Sequence, residues 1–267
     1  MTDFAVRTAR PVAGQPAGDP VETLASRALG VLASKRTSSA SLLSERLLAD
    51  LAAAVCSADA GRRTAVVHDM LASGIRREDI ADFYIPEVAR RLGTDWCEDR
   101  TSFADVTVGT ARLQGLLREI GPDWFSDVRL GADAPCLLVV VLADEFHTLG
   151  AMVLGSQLGR LGVSMKLAMG RNEAEVRDVV ASGQFDAIFL SVSQSAQLET
   201  LRGLVDKLRA ASQRATPIVL GGSAVTRVTD VRAQTGADHA TTDAREALRA
   251  CGLTLTASGA RRRATSE

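Results

Sequence analysis

The side chains best suited to bind a ligand concentrate in residues 143–150 of this 267-residue chain. Two carboxylates, Asp144 and Glu145, precede His147, and Gly150 closes the segment. An imidazole is a potential metal ligand, and a carboxylate that hydrogen-bonds its far nitrogen fixes the ring tautomer and raises the basicity of the ligand. A lone histidine in a loop is nevertheless more often structural, so a ligand role for His147 depends on which other segments lie beside it.

Two other segments combine small and hydroxyl-bearing residues. Ser191 and Ser193 lie at the end of one apolar run, and the pair Gly221-Gly222 ends the next. The segment that contains His147 also follows an apolar run, and the carboxyl ends of parallel strands meet at one edge of a sheet. The three segments are therefore expected to form a single binding edge.

The apolar runs before these segments alternate with helical patterns. Residues 136–142 form a continuous apolar run rich in valine, typical of a central parallel strand that is buried on both faces. Further strand-like pieces follow at residues 163–169, 186–192, 217–220 and 237–241. Helical patterns separate and follow them at residues 148–161, 173–182, 196–213, 224–235 and 243–251. The alternation predicts a flavodoxin-like, five-stranded parallel sheet of order 2-1-3-4-5 that binds ligands beside strands 1 and 3.

The residues before this sheet show only helical patterns. Leu43, Leu47 and Leu51 lie on one apolar stripe, and a later helix begins near Arg77 with a break or restart at Pro86. Together these patterns predict a bundle of four or five helices.

The predicted fold class is thus α + α/β. Residues 1–22 are expected to be a flexible lead-in. Residues 23–130 form the predicted helical bundle, which we call the helical cap, and residues 134–252 form the Rossmann-type α/β domain. Residues 253–267 are expected to be a flexible tail.

Composition narrows the possible function classes. The formal net charge of −1 gives no general attraction to phosphate backbones, and no helix-turn-helix pattern is present, so strong direct nucleic-acid binding is not expected. No apolar run approaches the roughly 20 residues of a membrane-spanning helix. Scattered cysteines and the lack of a signal pattern favour a reduced, cytoplasmic protein. The sequence has neither a Gly-x-Gly-x-x-Gly after the first strand nor a Walker lysine. These absences argue against nicotinamide and nucleoside-triphosphate binding.

The three polar segments, taken in order, resemble a known signature. Six residues carry the likeness to the D-x-H-x-x-G…S-x-L…G-G pattern of cobalamin-binding domains: Glu145, His147, Gly150, Ser191, Gly221 and Gly222. The resemblance implies that His147 replaces the cofactor's own dimethylbenzimidazole as the lower cobalt ligand. The released nucleotide tail is then expected to enter the α/β domain.

The same resemblance implies roles for the other residues. Gly150 would allow close approach of the tail, Ser191 would hydrogen-bond the benzimidazole, and Gly221-Gly222 would leave room beside it. Glu145 stands where the family has aspartate, and its extra methylene is expected to lengthen or remove the bond to the imidazole. Ser193 stands where the family has leucine, and is expected to make the wall of the tail pocket more polar.

The segment from Trp96 to Gln114 extends the likeness into the helical cap. It is similar to the cap that precedes cobalamin domains in corrinoid methyltransferases and B12 photoreceptors, where a tryptophan shields the upper face of the corrin. Trp96 is its counterpart here. The Glu-His pair that follows this tryptophan in the photoreceptors is replaced by Val106 and Thr107, so that particular switch is not expected.

Over about residues 35–250 the chain most resembles the AerR/PpaA group of photosynthesis regulators in purple bacteria. That resemblance implies a light-responsive antirepressor, not an enzyme, which binds adenosyl-, methyl- or hydroxocobalamin and acts on a DNA-binding transcriptional repressor. Two alternatives stay open: a corrinoid carrier protein of a methyltransferase system, and a sensor of the same fold that binds another tetrapyrrole such as haem. The oligomeric state also stays open.

Overall fold

The computed structural model describes residues 43–125, 134–195, 198–212 and 215–253. The predicted flexible segment at residues 1–22 lies outside these ranges, as does the tail after Leu253. The described residues from Ser44 onward belong to one compact unit, in which a helical part precedes a five-stranded sheet.

In the described part of the helical cap, three helix starts are capped by side chains. Ser44, Asp59 and Ser102 each accept a hydrogen bond from a backbone N–H of the following first turn. The elements are α1 (Glu45–Cys56), α2 (Ala60–Ala72), the single turn α3 (Arg77–Asp79), a π-helical turn (Ile80–Tyr84), α4 (Ile85–Cys97), α5 (Phe103–Ile120) and a 3-10 turn (Pro122–Phe125). No helix in the described ranges is long and apolar enough to cross a membrane.

The break expected at Pro86 is present and takes the form of the π-helical turn. In this turn the Ile85 N–H donates to the carbonyl of Ile80, five residues earlier. Proline lacks an N–H, and inside an α-helix its ring clashes with the carbonyl four residues before it. The wider turn ends just before Pro86, which then lies in the first turn of α4, where a missing N–H is tolerated.

The sheet has the predicted topology. Its strands are β1 (Cys136–Leu142), β2 (Ser164–Arg171), β3 (Ala187–Ser191), β4 (Ile218–Gly221) and β5 (His239–Ala240). They are all parallel, in the order β2-β1-β3-β4-β5. The intervening elements are α6 (Leu149–Arg160), α7 (Glu173–Ser182), α8 (Leu198–Ala211), a 3-10 turn (Ser223–Thr226), α9 (Val231–Thr235) and α10 (Ala244–Ala250). Successive side chains of β1 belong to two different buried clusters, so both faces of the sheet are covered.

Two predicted elements differ clearly from the structure. The helix expected over residues 224–235 is interrupted, because Asp230 has a left-handed φ of 55° and cannot continue a right-handed helix. The last strand, expected over residues 237–241, keeps two ladder residues. It lies at the edge and pairs only with β4, which itself has four residues.

Arg160, the last residue of α6, joins the sheet to the helical cap. Its guanidinium donates to Asp82 of the π-helical turn at 2.6 Å and lies 4.5 Å from the ring centroid of Trp124. The Arg160 and Asp82 side chains are only 15% and 21% exposed. Gly159 permits this approach, because a Cβ there would lie 1.9 Å from the Trp124 carbonyl oxygen. We call Arg160, Asp82 and Trp124 the Arg160 clamp.

Replacing Arg160 by alanine is expected to lower the free energy of unfolding by about 2 kcal/mol. The change removes a largely buried ion pair together with a cation–π contact, and leaves Asp82 without this partner. Urea unfolding followed by circular dichroism measures the loss. The matched control is Arg177→Ala, whose ion pair with Asp178 is solvent-exposed and is expected to contribute less than about 1 kcal/mol. Equal losses in the two variants would contradict the clamp.

Candidate functional site

The carboxyl ends of β1, β3 and β4 bring the three polar segments to one edge of the sheet. Ser191 of β3 is paired with Gly221 of β4, and β1 lies on the other side of β3. The chain turns directly after β1, where the Glu145 N–H donates to the Leu142 carbonyl at 3.1 Å. This turn buries Glu145 while the residues on either side of it are exposed.

Glu145 is the centre of a hydrogen-bonded cluster with His147 and Ser193, here called the Glu145 cluster. Its Oε1 accepts from the His147 backbone N–H at 2.8 Å and lies 2.7 Å from the ring Nδ1. Its Oε2 accepts from the backbone N–H and the hydroxyl of Ser193 at 2.8 and 2.5 Å. The Ser193 hydroxyl oxygen also lies 2.8 Å from Nδ1. The extra methylene therefore neither lengthens nor removes the carboxylate–imidazole bond, contrary to the expectation from sequence.

The surroundings keep the Glu145 carboxyl group ionised. Burial alone raises its pKa, but hydrogen bonds from the Ser193 hydroxyl, from the His147 amide and ring, and from the Ser193 amide outweigh burial, so the net pKa is lowered from 4.5. An ionised carboxylate only accepts hydrogen bonds, so the Nδ1 of His147 that faces it carries the ring proton. In the neutral imidazole with the proton on Nδ1, the opposite nitrogen, Nε2, has a free lone pair. Because the His147 side chain is 67% exposed, that lone pair is accessible to a ligand.

A cavity of about 270 Å³ opens at the same edge, between the sheet and helices α6 and α10. Apolar side chains from three adjacent strands, Val139, Phe189 and Val219, form part of its wall. The wall also includes small and hydroxyl-bearing residues at or after the strand ends, namely Gly150, Ser191, Gly221, Gly222, Ser223 and Thr241. Such a lining suits an apolar ring that carries a few hydrogen-bonding atoms.

Glycine stands at the three glycine positions of the cavity for different physical reasons. A Cβ on Gly150 would meet nothing within 4 Å, and one on Gly221 would meet only the Thr241 carbonyl oxygen at 3.5 Å, so both leave open space. Gly222 is required by the backbone itself. Its φ is 93°, and a Cβ would lie 2.3 Å from the Val192 carbonyl oxygen.

Known proteins match this sequence at two levels. Residues 135–252 match the family model described as "B12 binding domain". The chain is also 33% identical over 166 residues to an uncharacterized 20.5 kDa protein in the bchF-crtJ intergenic region of Rhodobacter capsulatus, across 62% of this chain and 86% of that protein. This chain belongs to the family of B12-binding domain proteins.

The fold of the B12-binding domain and its helical cap is also found in a solved structure. The monomethylamine corrinoid protein of Methanosarcina barkeri is matched with a TM-score of 0.60 at 16% identity, over 77% of this chain and 96% of that chain. The likeness supports the predicted architecture of a helical region followed by a Rossmann-like sheet.

The site of the B12-binding domain fits a cobalamin-type cofactor. A corrin macrocycle would itself supply most of the donors of its cobalt, so the protein would need to provide only one nitrogen donor. His147 provides one accessible nitrogen whose orientation is fixed by Glu145. Beside it the strand ends enclose an apolar cavity that has Ser191 in its lining. Binding of the nucleotide tail in this cavity, with a hydrogen bond from Ser191, stays a prediction.

Ser193 has a different place in the B12-binding domain from the one predicted. It was expected in the wall of the tail pocket, yet it is absent from the cavity lining and is 9% exposed, with its hydroxyl directed at Glu145. The longer glutamate side chain reaches both partners, so Oε2 accepts from Ser193 while Oε1 stays on His147. The two departures from the family pattern therefore fit each other.

Trp96 belongs neither to the Glu145 cluster nor to the cavity lining. It lies near the end of α4, 46% exposed, and its ring centroid is 5.8 Å from that of Phe103, which is 67% exposed at the start of α5. Shielding of the upper corrin face by Trp96 stays a prediction. The described contact between α5 and the loop of the B12-binding domain is made further along the helix, where the Gln114 amide donates to the Thr148 hydroxyl at 2.9 Å.

Several residues of the site were missed by the sequence reasoning. Thr241, Thr242 and Asp243 line the cavity from the loop after β5. The sequence pattern could have located this loop at the site. The loop follows the fifth predicted strand, whose carboxyl end lies at the same edge of the sheet as those of the first, third and fourth strands. The side chains of these three residues carry no motif of their own, so spacing alone did not single them out.

Glu145→Gln is expected to flatten the dependence of stability on pH below about pH 4.5. Because the folded-state pKa of Glu145 is lowered from 4.5, its ionised form stabilises the fold above that value, and this contribution is lost as the pH falls through the lower folded pKa. The variant lacks that loss. At pH 7 the variant is expected to be about 1–3 kcal/mol less stable than the parent protein. The glutamine N–H groups would face the hydrogen-bond donors of His147 and Ser193, and at least one of these bonds would be lost.

Urea unfolding of both proteins between pH 7 and pH 3 tests this expectation. The matched control is Asp144→Asn. It removes the same negative charge at the neighbouring residue, whose side chain is exposed. The control is expected to keep the pH profile of the parent protein. A parallel profile for Glu145→Gln and the parent would show that the buried carboxylate does not carry this dependence.

Proposed function

We propose that this chain is a cobalamin-binding, light-responsive regulator of transcription that acts in the cytoplasm through a partner repressor protein on photosynthesis or tetrapyrrole genes. The observation that carries the proposal is the oriented, accessible His147 nitrogen at the mouth of a B12-binding domain. The regulatory part is supported by the similarity to the Rhodobacter capsulatus protein, whose gene lies in the bchF-crtJ photosynthesis region. The likeness to the AerR/PpaA group supports it as well.

The proposed division of labour among the residues follows from their contacts. His147 would hold the cobalt through its accessible nitrogen, Glu145 and Ser193 orient the His147 ring, and the cavity would hold the nucleotide tail. When bound, the cofactor supplies a cobalt–carbon bond that light breaks. The loop that carries His147 is hydrogen-bonded to α5 through Thr148 and Gln114, so a displacement of either side changes this contact. If the helical cap has two alternative positions, a ligand shifts the balance between them only if it interacts differently with each.

The output is proposed to be a protein–protein contact. A net charge of −1 gives no general attraction to DNA, and the proposed role is regulatory, with no catalytic step. Mobility-shift assays with promoter DNA are expected to show no retardation by the purified protein alone at physiological salt. Specific retardation in that assay would replace the partner model with direct DNA binding.

The deciding experiment is purification with adenosyl-, methyl- and hydroxocobalamin, in darkness and after illumination, followed by absorption spectroscopy. The alkyl forms are expected to co-elute and to change their spectrum on illumination. Hydrogen exchange should change in α4 and α5 in the same step. If none of the cobalamins co-elutes, the cobalamin proposal fails, and parallel incubation with haem tests the tetrapyrrole alternative.

A second candidate is a corrinoid carrier for methyl transfer. It is supported by the fold shared with the Methanosarcina barkeri corrinoid protein over 96% of that chain. A carrier is expected to lose its methyl group to an added acceptor in darkness in the presence of its methyltransferase. A regulator is expected to lose the methyl group only under illumination, so the dark rate separates the two functions.

A further inference from the structure

A continuous set of hydrogen bonds joins the cavity to the Glu145 cluster. Ser223, which lines the cavity, donates its hydroxyl to the Ser193 carbonyl at 3.3 Å. The guanidinium of Arg227 donates to the same carbonyl and, at 3.1 Å, to the Ser223 hydroxyl oxygen. Arg227 therefore bonds a residue of the cavity wall and a residue of the Glu145 cluster at the same time.

Ser193 is held from two opposite directions. Its N–H and hydroxyl donate to Glu145, while its carbonyl accepts from Arg227 and Ser223. Around it the backbone is tied to the end of β4, since the Val192 N–H donates to the Gly221 carbonyl at 3.0 Å. The position of Ser193 relative to Glu145 thus depends on the donors that fix its carbonyl.

Arginine is well suited to this place. Its planar guanidinium presents N–H groups in a fixed fork, so a carbonyl and a hydroxyl oxygen can both be bonded without reorientation of the side chain. The charge strengthens each hydrogen bond relative to a neutral donor. No spacing rule identifies such a residue from the sequence, because it lies five residues beyond the second glycine of the Gly221-Gly222 pair.

We propose that Arg227 is a positioning residue for His147, which locks Ser193 against Glu145 and ties that lock to the wall of the tail cavity. The inference rests on the proposed role of His147 as the lower cobalt ligand. It follows that a nucleotide tail in contact with Ser223 and nitrogen coordination by His147 reinforce each other. A corrinoid without the tail, such as cobinamide, lacks one side of this coupling.

The test compares the parent protein with Arg227→Ala, Arg227→Lys and Ser223→Ala, each loaded with cobalamin or with cobinamide. The protein is labelled with nitrogen-15 histidine. In the electron paramagnetic resonance spectrum of the cobalt(II) form, coordination by His147 then gives a doublet, here called the nitrogen splitting, whereas the cofactor's own benzimidazole gives a triplet. Arg227→Ala is expected to weaken cobalamin binding by about tenfold, the lower end of the range for loss of an outer partner of a metal ligand. It should also reduce the fraction of molecules with nitrogen splitting. Ser223→Ala removes a surface hydroxyl and should produce a smaller change in the same direction.

Two comparisons separate positioning from a general loss of stability. Arg227→Lys keeps a charged donor for the Ser193 carbonyl and is expected to restore most of the nitrogen splitting. The matched control is Arg202→Ala, since Arg202 also donates to two backbone carbonyls, those of Ala233 and Gln234, away from the Glu145 cluster. This control should leave both affinity and splitting as in the parent.

The failure of this inference is distinct from the failure of the proposed function. If the parent binds cobalamin with nitrogen splitting and Arg227→Ala shows the same fraction, the positioning role is wrong while the proposed function stands. If the parent shows no nitrogen splitting, the ligand role of His147 is wrong. NMR of the unloaded protein then decides the positioning role, because Arg227→Ala is expected to free the His147 ring from a single orientation, and an unchanged ring signal overturns it.

Discussion

Replacing His147 by alanine is expected to abolish coordination of the bound cobalt by a protein nitrogen and to weaken cobalamin binding by at least about tenfold. Loss of an outer partner of a metal ligand already reduces affinity by about 10- to 100-fold, so loss of the ligand itself should cost no less. Because the side chain is 67% exposed, the fold is expected to survive the substitution. Absorption spectra of the protein loaded with cobinamide, which has no benzimidazole of its own, and a cobalamin titration measure the two effects.

The matched control for this substitution is His68→Ala. His68 is also an exposed histidine, with 80% of its side chain accessible, and lies on α2 of the helical cap. It should bind cobalamin with the spectrum of the parent protein. If His147→Ala keeps the same spectrum and affinity as this control, then His147 is not the lower ligand, although the fold assignment stands.

Gly222→Ala is expected to destabilise the protein by about 3 kcal/mol or more. With φ 93° and ψ 174° the residue occupies a region that is nearly exclusive to glycine, and a side chain there costs about 1–3 kcal/mol. In addition, the new Cβ would lie 2.3 Å from the Val192 carbonyl oxygen, so the backbone after β3 would have to move. That backbone leads directly to Ser193, so cobalamin binding should weaken in the molecules that remain folded. Urea unfolding and a cobalamin titration give the two values.

A second glycine offers a control of opposite sign. Gly203 lies inside α8, and a Cβ there would meet nothing within 4 Å. Gly203→Ala is expected to stabilise the protein by about 0.5–1 kcal/mol, because alanine loses less backbone entropy in a helix. If both variants shift the unfolding midpoint in the same direction, the conformational requirement at Gly222 is refuted.

The sequence was sufficient to predict the sheet and its order. The run at residues 136–142 is too apolar for a strand with a solvated face, and strict alternation with helices leaves few parallel topologies. The same reasoning placed Glu145, His147 and Gly221-Gly222 at one edge, because strand ends follow from strand positions. The alternation of strands and helices was thus enough to predict which residues lie at the carboxyl-end edge of the sheet.

The contacts within that edge were not predictable in the same way. The prediction for Ser193 assumed that a residue in the leucine position faces the tail pocket, whereas the turn after β1 brings Glu145 within 2.5 Å of its hydroxyl. Side-chain partners of this kind depend on loop geometry, which is set by backbone hydrogen bonds and not by residue type. The short β5 and the left-handed Asp230 were missed for a similar reason, because apolar periodicity does not report where a ladder ends.

The π-helical turn at Ile80–Tyr84 makes the structure sensitive to any change in the number of residues in this part of the chain. Each residue of an α-helix advances the side chains by about 100° around the axis. Deletion of one residue from the turn would close it to a regular α-helix and rotate everything before the deletion by that angle relative to α4. A deletion after Asp82 would therefore turn Asp82 away from Arg160, although every residue of the Arg160 clamp would be unchanged. Insertions and deletions there are thus less tolerated than substitutions.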